Sequence, residues 1–304
     1  MWNYSRIRKL PNLLCLILIL IAVSCQFINL GDSEKTPLLD DKLITGPEST
    51  SGFNIILGTS DLAIGPNRFT FAIISPDGLV NVPSVKLKSM FNGDIKQSTK
   101  AHFELWPIPQ RGLYVTELYF DESGIWDVEI ELNNVISNKE VVVIQFKVKD
   151  SFVAPAKGDF AFKSVNKTIE DVNALSQLTT GSLQDPDFYR MTISEVIFQG
   201  KPFVLVFSSP AFCTNAVCGP QLEVLHSLKT KHEGRYIFIH VDIYDNPEQV
   251  QSNFENARIS PVVNEWNLPT SLWTFIVDGK GKIKYRFEAF ASESEIENAL
   301  NEIL

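Results

Sequence analysis

The chain has 304 residues, of which 44% are hydrophobic and 21% charged, with four cysteines and a net charge of −9. That length supports about two domains with real cores, and the apolar fraction excludes a disordered chain, while 16 glycines and 16 prolines exclude a fibrous one. Four cysteines do not make a disulfide scaffold, and an acidic chain without a basic stripe excludes nucleic acid as a partner, because phosphate binding depends on clustered Lys and Arg.

Residues 1–24 have the pattern of a secretory signal. Arg6, Arg8 and Lys9 precede an apolar run from Leu13 to Val23, too short for the roughly 20 residues of a membrane-spanning helix, and small residues close it. Ala22-Val23-Ser24-Cys25 resembles the bacterial lipoprotein processing box. The resemblance implies lipidation of Cys25 and a mature protein anchored to the outer side of the cell membrane; an ordinary signal peptide or an uncleaved anchor are the alternatives. Export leaves Cys213 and Cys218 as the free thiols, in a compartment where disulfides persist.

Residues 25–50, polar and without periodicity, read as a flexible tether. From 51 to 150 the period is two. Phe69, Phe71 and Ile73 alternate before the Pro76-Asp77-Gly78 turn. Trp126, Val128, Ile130 and Leu132 alternate with acidic residues, and Val142, Ile144, Phe146 and Val148 with Gln145, Lys147 and Lys149. Short strands with regular turns point to an antiparallel β-sandwich of immunoglobulin type, a spacer or partner-binding module without chemistry of its own. Residues 151–190 read as a connection with one short helix near Ile169–Leu178.

From 191 to 304 strand and helix patterns alternate. Phe203–Phe207 is apolar on both faces, as in a covered central strand. A helix follows with Leu222, Leu225 and Leu228 inward and Gln221, Glu223, Ser227 and Lys229 outward. Tyr236–Ile243 reads as a strand, Trp273–Val277 and Lys282–Phe287 as a hairpin across Asp278-Gly279-Lys280-Gly281, and Ser292 with Glu295 as the capping box of a last helix.

Cys213-Thr214-Asn215-Ala216-Val217-Cys218-Gly219-Pro220 stands between the buried strand and the helix. Unpaired N–H groups at a helix start stabilise a thiolate, and two neighbouring thiols exchange readily with a disulfide. The order of elements from Lys201 to Leu304 resembles the thioredoxin-like thiol–disulfide oxidoreductases of bacterial envelopes. The resemblance implies an α/β thioredoxin-like domain, with Cys213 and Cys218 as the catalytic pair, no cofactor or metal, and protein thiols or disulfides of the cell envelope as partners. Four residues separate the cysteines where the family has two. Leu272 stands where the family's cis-proline lies, so Leu272 and Trp273 mark the expected substrate-binding loop. Val206 occupies the place of the family's buried carboxylate.

Two registers fit the pair: Cys213 as nucleophile with Cys218 resolving, or Cys218-Gly219-Pro220 as the nucleophilic half with Cys213 resolving. A binding module stapled by a structural disulfide is one alternative function. Copper handling, with His226, His232 or His240 as a further ligand, is another. Asp242, Asp245 and Glu248 read as a solvated strand end, and Trp266 and Trp273 as packing or groove residues. The expectation is therefore a multidomain chain: an Ig-like β-sandwich followed by an α/β thioredoxin-like domain.

Overall fold

Strict alternation drives the first half of the chain into strands. In the computed structural model, which describes Leu39, 44–108, 111–132, 140–213 and 217–303, these are β1 (Asn54–Leu57), β2 (Gly65–Ser75), β3 (Gly78–Leu79), β4 (Ser84–Phe91), β5 (Asp94–Leu105), β6 (Gly112–Phe120), β7 (Gly124–Glu131) and β8 (Val141–Val148). The expected signal segment 1–24, Cys25 and most of the expected tether lie outside the described residues. Phe69, Phe71, Ile73, Trp126, Val128 and Ile130 are fully buried, while Gln145 and Lys147 face water. Each such side chain contributes about 1.5–3 kcal/mol relative to exposure. Phe120 stands edge-on to Trp126 at 4.8 Å and to Phe146 at 5.7 Å at the centre of this core.

The strands do not form a two-sheet sandwich. They follow one antiparallel path, β1-β2-β6-β5-β4-β7-β8, with β3 attached to β2. The strand responsible is β5, which pairs with β4 from Asp94 to His102 and with β6 from His102 to Leu105, so one strand joins both halves of the sheet. The two ends of the path also approach each other. Gly46, hydrogen-bonded to β1 through Ile55, sits so close to β8 that a Cβ there would stand 3.1 Å from Val143 O. The result is a nearly closed, barrel-like sheet around one core.

The second half comprises α1 (Ile193–Gln199), β9 (Phe203–Ser208), α2 (Cys218–Lys231), β10 (Ile237–Asp242), α3 (Pro247–Ser252), α4 (Pro261–Glu265), β11 (Trp273–Val277), β12 (Ile283–Glu288) and α5 (Glu293–Asn301). The strands form a small sheet in the order β10-β9-β11-β12, with β9 and β10 parallel and the other pairs antiparallel. Phe203 registers with both Ile237 and Val277, and Ser208 with Asp242. The turn between β11 and β12 therefore lies at the end where β9 begins, and the cysteine loop leaves from the opposite end. The Ser292–Glu295 capping box of α5 is formed, and a second one, Thr192–Glu195, opens α1.

This architecture corrects the expected multidomain fold of an Ig-like sandwich and a separate α/β thioredoxin-like domain. The chain is mostly β, with a barrel-like sheet and only five helices among the described residues, which does not indicate an α/β thioredoxin domain. Leu38–Leu304 is one compact unit. Charged groups tie the two sheets together. Asp61 accepts from Arg286 at 2.6 Å, Lys149 at 3.1 Å and the amides of Val153 and Ala154. Arg68 donates to Glu295 at 2.8 and 2.9 Å and to the carbonyls of Glu288 and Phe290. Burial alone would raise Asp61, but the Arg286 charge and the two amides outweigh it and hold the carboxyl below its usual range.

Residues 151–190 are more than a connection. Phe160 pairs with Lys282 beside β12, Leu175–Gln177 and Pro186–Tyr189 form short 3-10 turns, and the intervening stretch packs beneath the cysteine loop.

Candidate functional site

Strand β9 ends at Ser208, and the chain continues through Ser209-Pro210-Ala211-Phe212 to Cys213. Cys213 and Cys218 form a disulfide with Cα atoms 5.9 Å apart, within the usual range for such a bridge. The two sulfur-bearing residues differ in access. Cys218 is fully buried as the first residue of α2, packed among Leu222, Leu272 and Phe290, whereas Cys213 is partly exposed at the edge of the same cluster. The residue before the helix, Val217, supplies no side-chain cap, so the helix start faces Cys218 with uncapped N–H groups.

A polar network, nearly all buried, holds the loop from below. Asp242 at the end of β10 accepts from the Thr180 amide at 2.7 Å and the Thr180 hydroxyl at 2.9 Å. Thr180 Oγ1 lies 3.0 Å from Ser209 Oγ and accepts from the Ala211 amide at 3.3 Å. Gly181 packs closely beside it: a Cβ there would stand 3.0 Å from the Pro210 ring, which would have to shift. Burial pushes the Asp242 carboxyl up to about 6, against the amides of Thr180 and Tyr244. His240, one turn of the pleat away, bonds Tyr189 OH through Nδ1 at 2.7 Å and Ser208 through Nε2 at 3.0 Å. Burial lowers it to about 4, so it is neutral near pH 7.

Next to Cys213 the surface is aromatic. Phe212 lies 5.3 Å from Phe254 and 6.0 Å from Tyr244, and Phe254 is 42% exposed. This lip was not legible in the sequence, since Phe254 sits in a polar stretch without periodicity.

Leu272 and Trp273, the expected substrate-binding residues, are both buried. Leu272 lies at the cysteine end of the sheet in the same cluster as Cys218, and Trp273 stacks on Phe275 at 5.7 Å with the Arg286 guanidinium 4.9 Å from its ring. Neither offers a surface to a docked chain. Trp266 is likewise fully buried, its indole N–H donating to Ser164. Asp242, read as a solvated strand end, is 4% exposed, and Gln221, read as facing solvent, is fully buried and exchanges hydrogen bonds with the Ala291 backbone. For copper, the histidines are elsewhere: His226 pairs with Asp185, His232 caps the far end of α2, and both ring nitrogens of His240 are engaged. No group of three His, Cys, Asp or Glu that could hold a metal occurs among the described residues. Among those residues, too, no helix is long and apolar enough to cross a membrane.

The chain matches no protein-family model, and no curated protein is similar to it.

Proposed function

We propose that this protein exchanges disulfides with protein thiols of the cell envelope through Cys213 and Cys218. The observation that carries the reading is the asymmetry of the pair: Cys213 is partly exposed, and Cys218 is buried at the start of a 14-residue helix. In the dithiol form, the Cys213 thiolate attacks a client disulfide, forms a mixed disulfide and expels one client thiolate, which takes up a proton. The Cys218 thiolate then attacks the Cys213 sulfur, closing the intramolecular disulfide and releasing the second client thiol. Two electrons pass to the client, and the reverse sequence oxidises it. The helix start favours the thiolate that both steps need. The half-buried ring of Phe212 and the exposed ring of Phe254 would hold an apolar client segment beside the reacting sulfur.

The setting for this chemistry is the outer side of the membrane, with the chain tethered by a lipid on Cys25. The basic start, the short apolar run and Ala22-Val23-Ser24-Cys25 support it. Mass spectrometry of the protein purified from its own cells should find a diacylglyceryl group on Cys25; an unmodified Cys25 within the mature chain excludes the anchor.

The exchange reading is tested by equilibrating the full chain in glutathione buffers and counting free thiols by alkylation. An exchanging pair titrates well above the potential of structural disulfides, which lie below about −300 mV. A bond that stays closed throughout is a staple, and the exchange reading fails.

A further inference from the structure

The end of the small sheet opposite the cysteine loop carries an exposed group of aromatic and basic side chains. Phe198, on the last turn of α1, is 93% exposed, and Phe160, paired with Lys282 alongside β12, is 66% exposed. Lys201 follows α1, Lys280 sits at the tip of the β11–β12 turn, and Lys282 immediately precedes β12; all three are exposed. The pieces are held together by backbone contact. A Cβ on Gly279 would stand 2.5 Å from Gly200 O, and the Ala161 amide donates to Gly281 O at 2.9 Å.

The two aspartates in this region are bound by backbone amides and pair with none of these lysines. Asp278 Oδ1 accepts from the amides of Lys280 and Lys282, and Asp159 Oδ2 from the amide of Ala156. Lys201, Lys280 and Lys282 make no ion pair among the described residues, and the Lys282 ammonium lies 5.3 Å from the Phe160 ring centre. Against the two carboxylates, three ammonium groups leave a surplus of one positive charge here, in a chain of net charge −9. Two exposed phenyl rings near unpaired lysines gain nothing from water, whereas a bilayer surface accepts the rings below its headgroups and leaves the ammonium groups at the phosphates.

We infer that this end of the small sheet docks on an anionic lipid bilayer, with Phe198 and Phe160 dipping below the headgroups and Lys201, Lys280 and Lys282 facing lipid phosphates. The inference does not depend on the Cys25 anchor. Its consequence is orientation: β9 runs from this end to the cysteine loop, about 17 Å of extended chain, so a docked molecule presents Cys213 away from the membrane.

The test is hydrogen–deuterium exchange of the full chain on vesicles of phosphatidylcholine or of phosphatidylglycerol. The amino-terminal run and its basic start, Arg6, Arg8 and Lys9, are present throughout, so the patch is read from its own amides and from variants that alter it alone. Amides of 198–201 and 279–282 should exchange at least about fivefold more slowly on the anionic vesicles, an effect that fades with added salt. The K201E/K280E/K282E variant should abolish the difference, and Phe198→Ser should reduce it with the charge unchanged. Equal exchange on both lipids, protection that survives charge reversal, or protection that grows with protein concentration without vesicles (a second copy as the partner) would each overturn the inference.

Discussion

Thr180 donates its hydroxyl to Asp242 at 2.9 Å while accepting from the Ala211 amide at 3.3 Å, so one side chain couples a buried carboxylate to the loop that carries Cys213. The two partners are 62 residues apart in the chain. The segment 151–190 thus supplies the floor of the candidate site.

Thr180→Val keeps the shape and removes the hydroxyl. It removes one buried hydrogen bond to Asp242 and the acceptor of the Ala211 amide at the edge of the core, and the expected loss is about 1–3 kcal/mol in urea unfolding. Thr180→Ser, which keeps the hydroxyl, should lose well under half of that. Equal losses in the two variants would show that the methyl packing, and not the hydrogen bonds, holds the loop.

Asp242 and His240 impose opposite pH dependences. The Asp242 carboxyl is raised from 3.8 to about 6 on folding, so between those values the folded chain keeps a proton that the unfolded chain has lost, and stability falls as pH rises through the window. His240 is lowered from 6.5 to about 4, so its burial costs stability at acid pH, a cost relieved as pH rises to 6.5. Asp242→Asn should therefore leave the His240 slope unopposed, and its stability should climb more steeply between pH 4 and 6 than that of the parent. Parallel profiles would mean that Asp242 ionises in the folded state as it does in water.

Arg286→Leu leaves Asp61 buried with Lys149 as its remaining cation, and it should cost about 3–5 kcal/mol. Adding Asp61→Asn should recover part of that loss, because the stranded charge is removed. The depressed Asp61 carboxyl contributes stability above its usual pKa that is lost as pH falls below it, and both variants should flatten that acid limb. Since these bridges join the two sheets, the parent should unfold in one transition by both circular dichroism and tryptophan fluorescence. Two separated transitions would show independent halves.

Single-cysteine variants should differ sharply towards a soluble alkylating reagent. With Cys218→Ser, the partly exposed Cys213 should react at least about tenfold faster than Cys218 does in the Cys213→Ser variant, and its pH profile should show an apparent pKa below the ordinary 8.5. The reverse order would assign the attacking role to Cys218.

Strand positions were legible in the sequence, because alternation at period two reports which side of a strand meets apolar neighbours: Trp126, Val128, Ile130, Phe69 and Phe71 are buried as their spacing requires. The placing of the cysteine pair between a covered strand and a helix, and the Ser292–Glu295 cap, were legible for the same local reason. Sandwich and barrel share that period, and only the pairing of β5 with both β4 and β6 decided between them. Likewise, the polarity of Gln221 and Asp242 pointed to solvent, but each is buried because a partner far along the chain, Ala291 or Thr180, satisfies its hydrogen bonds there. A sequence determines which side chains prefer to leave water; which distant backbone groups meet them is decided when the chain closes on itself.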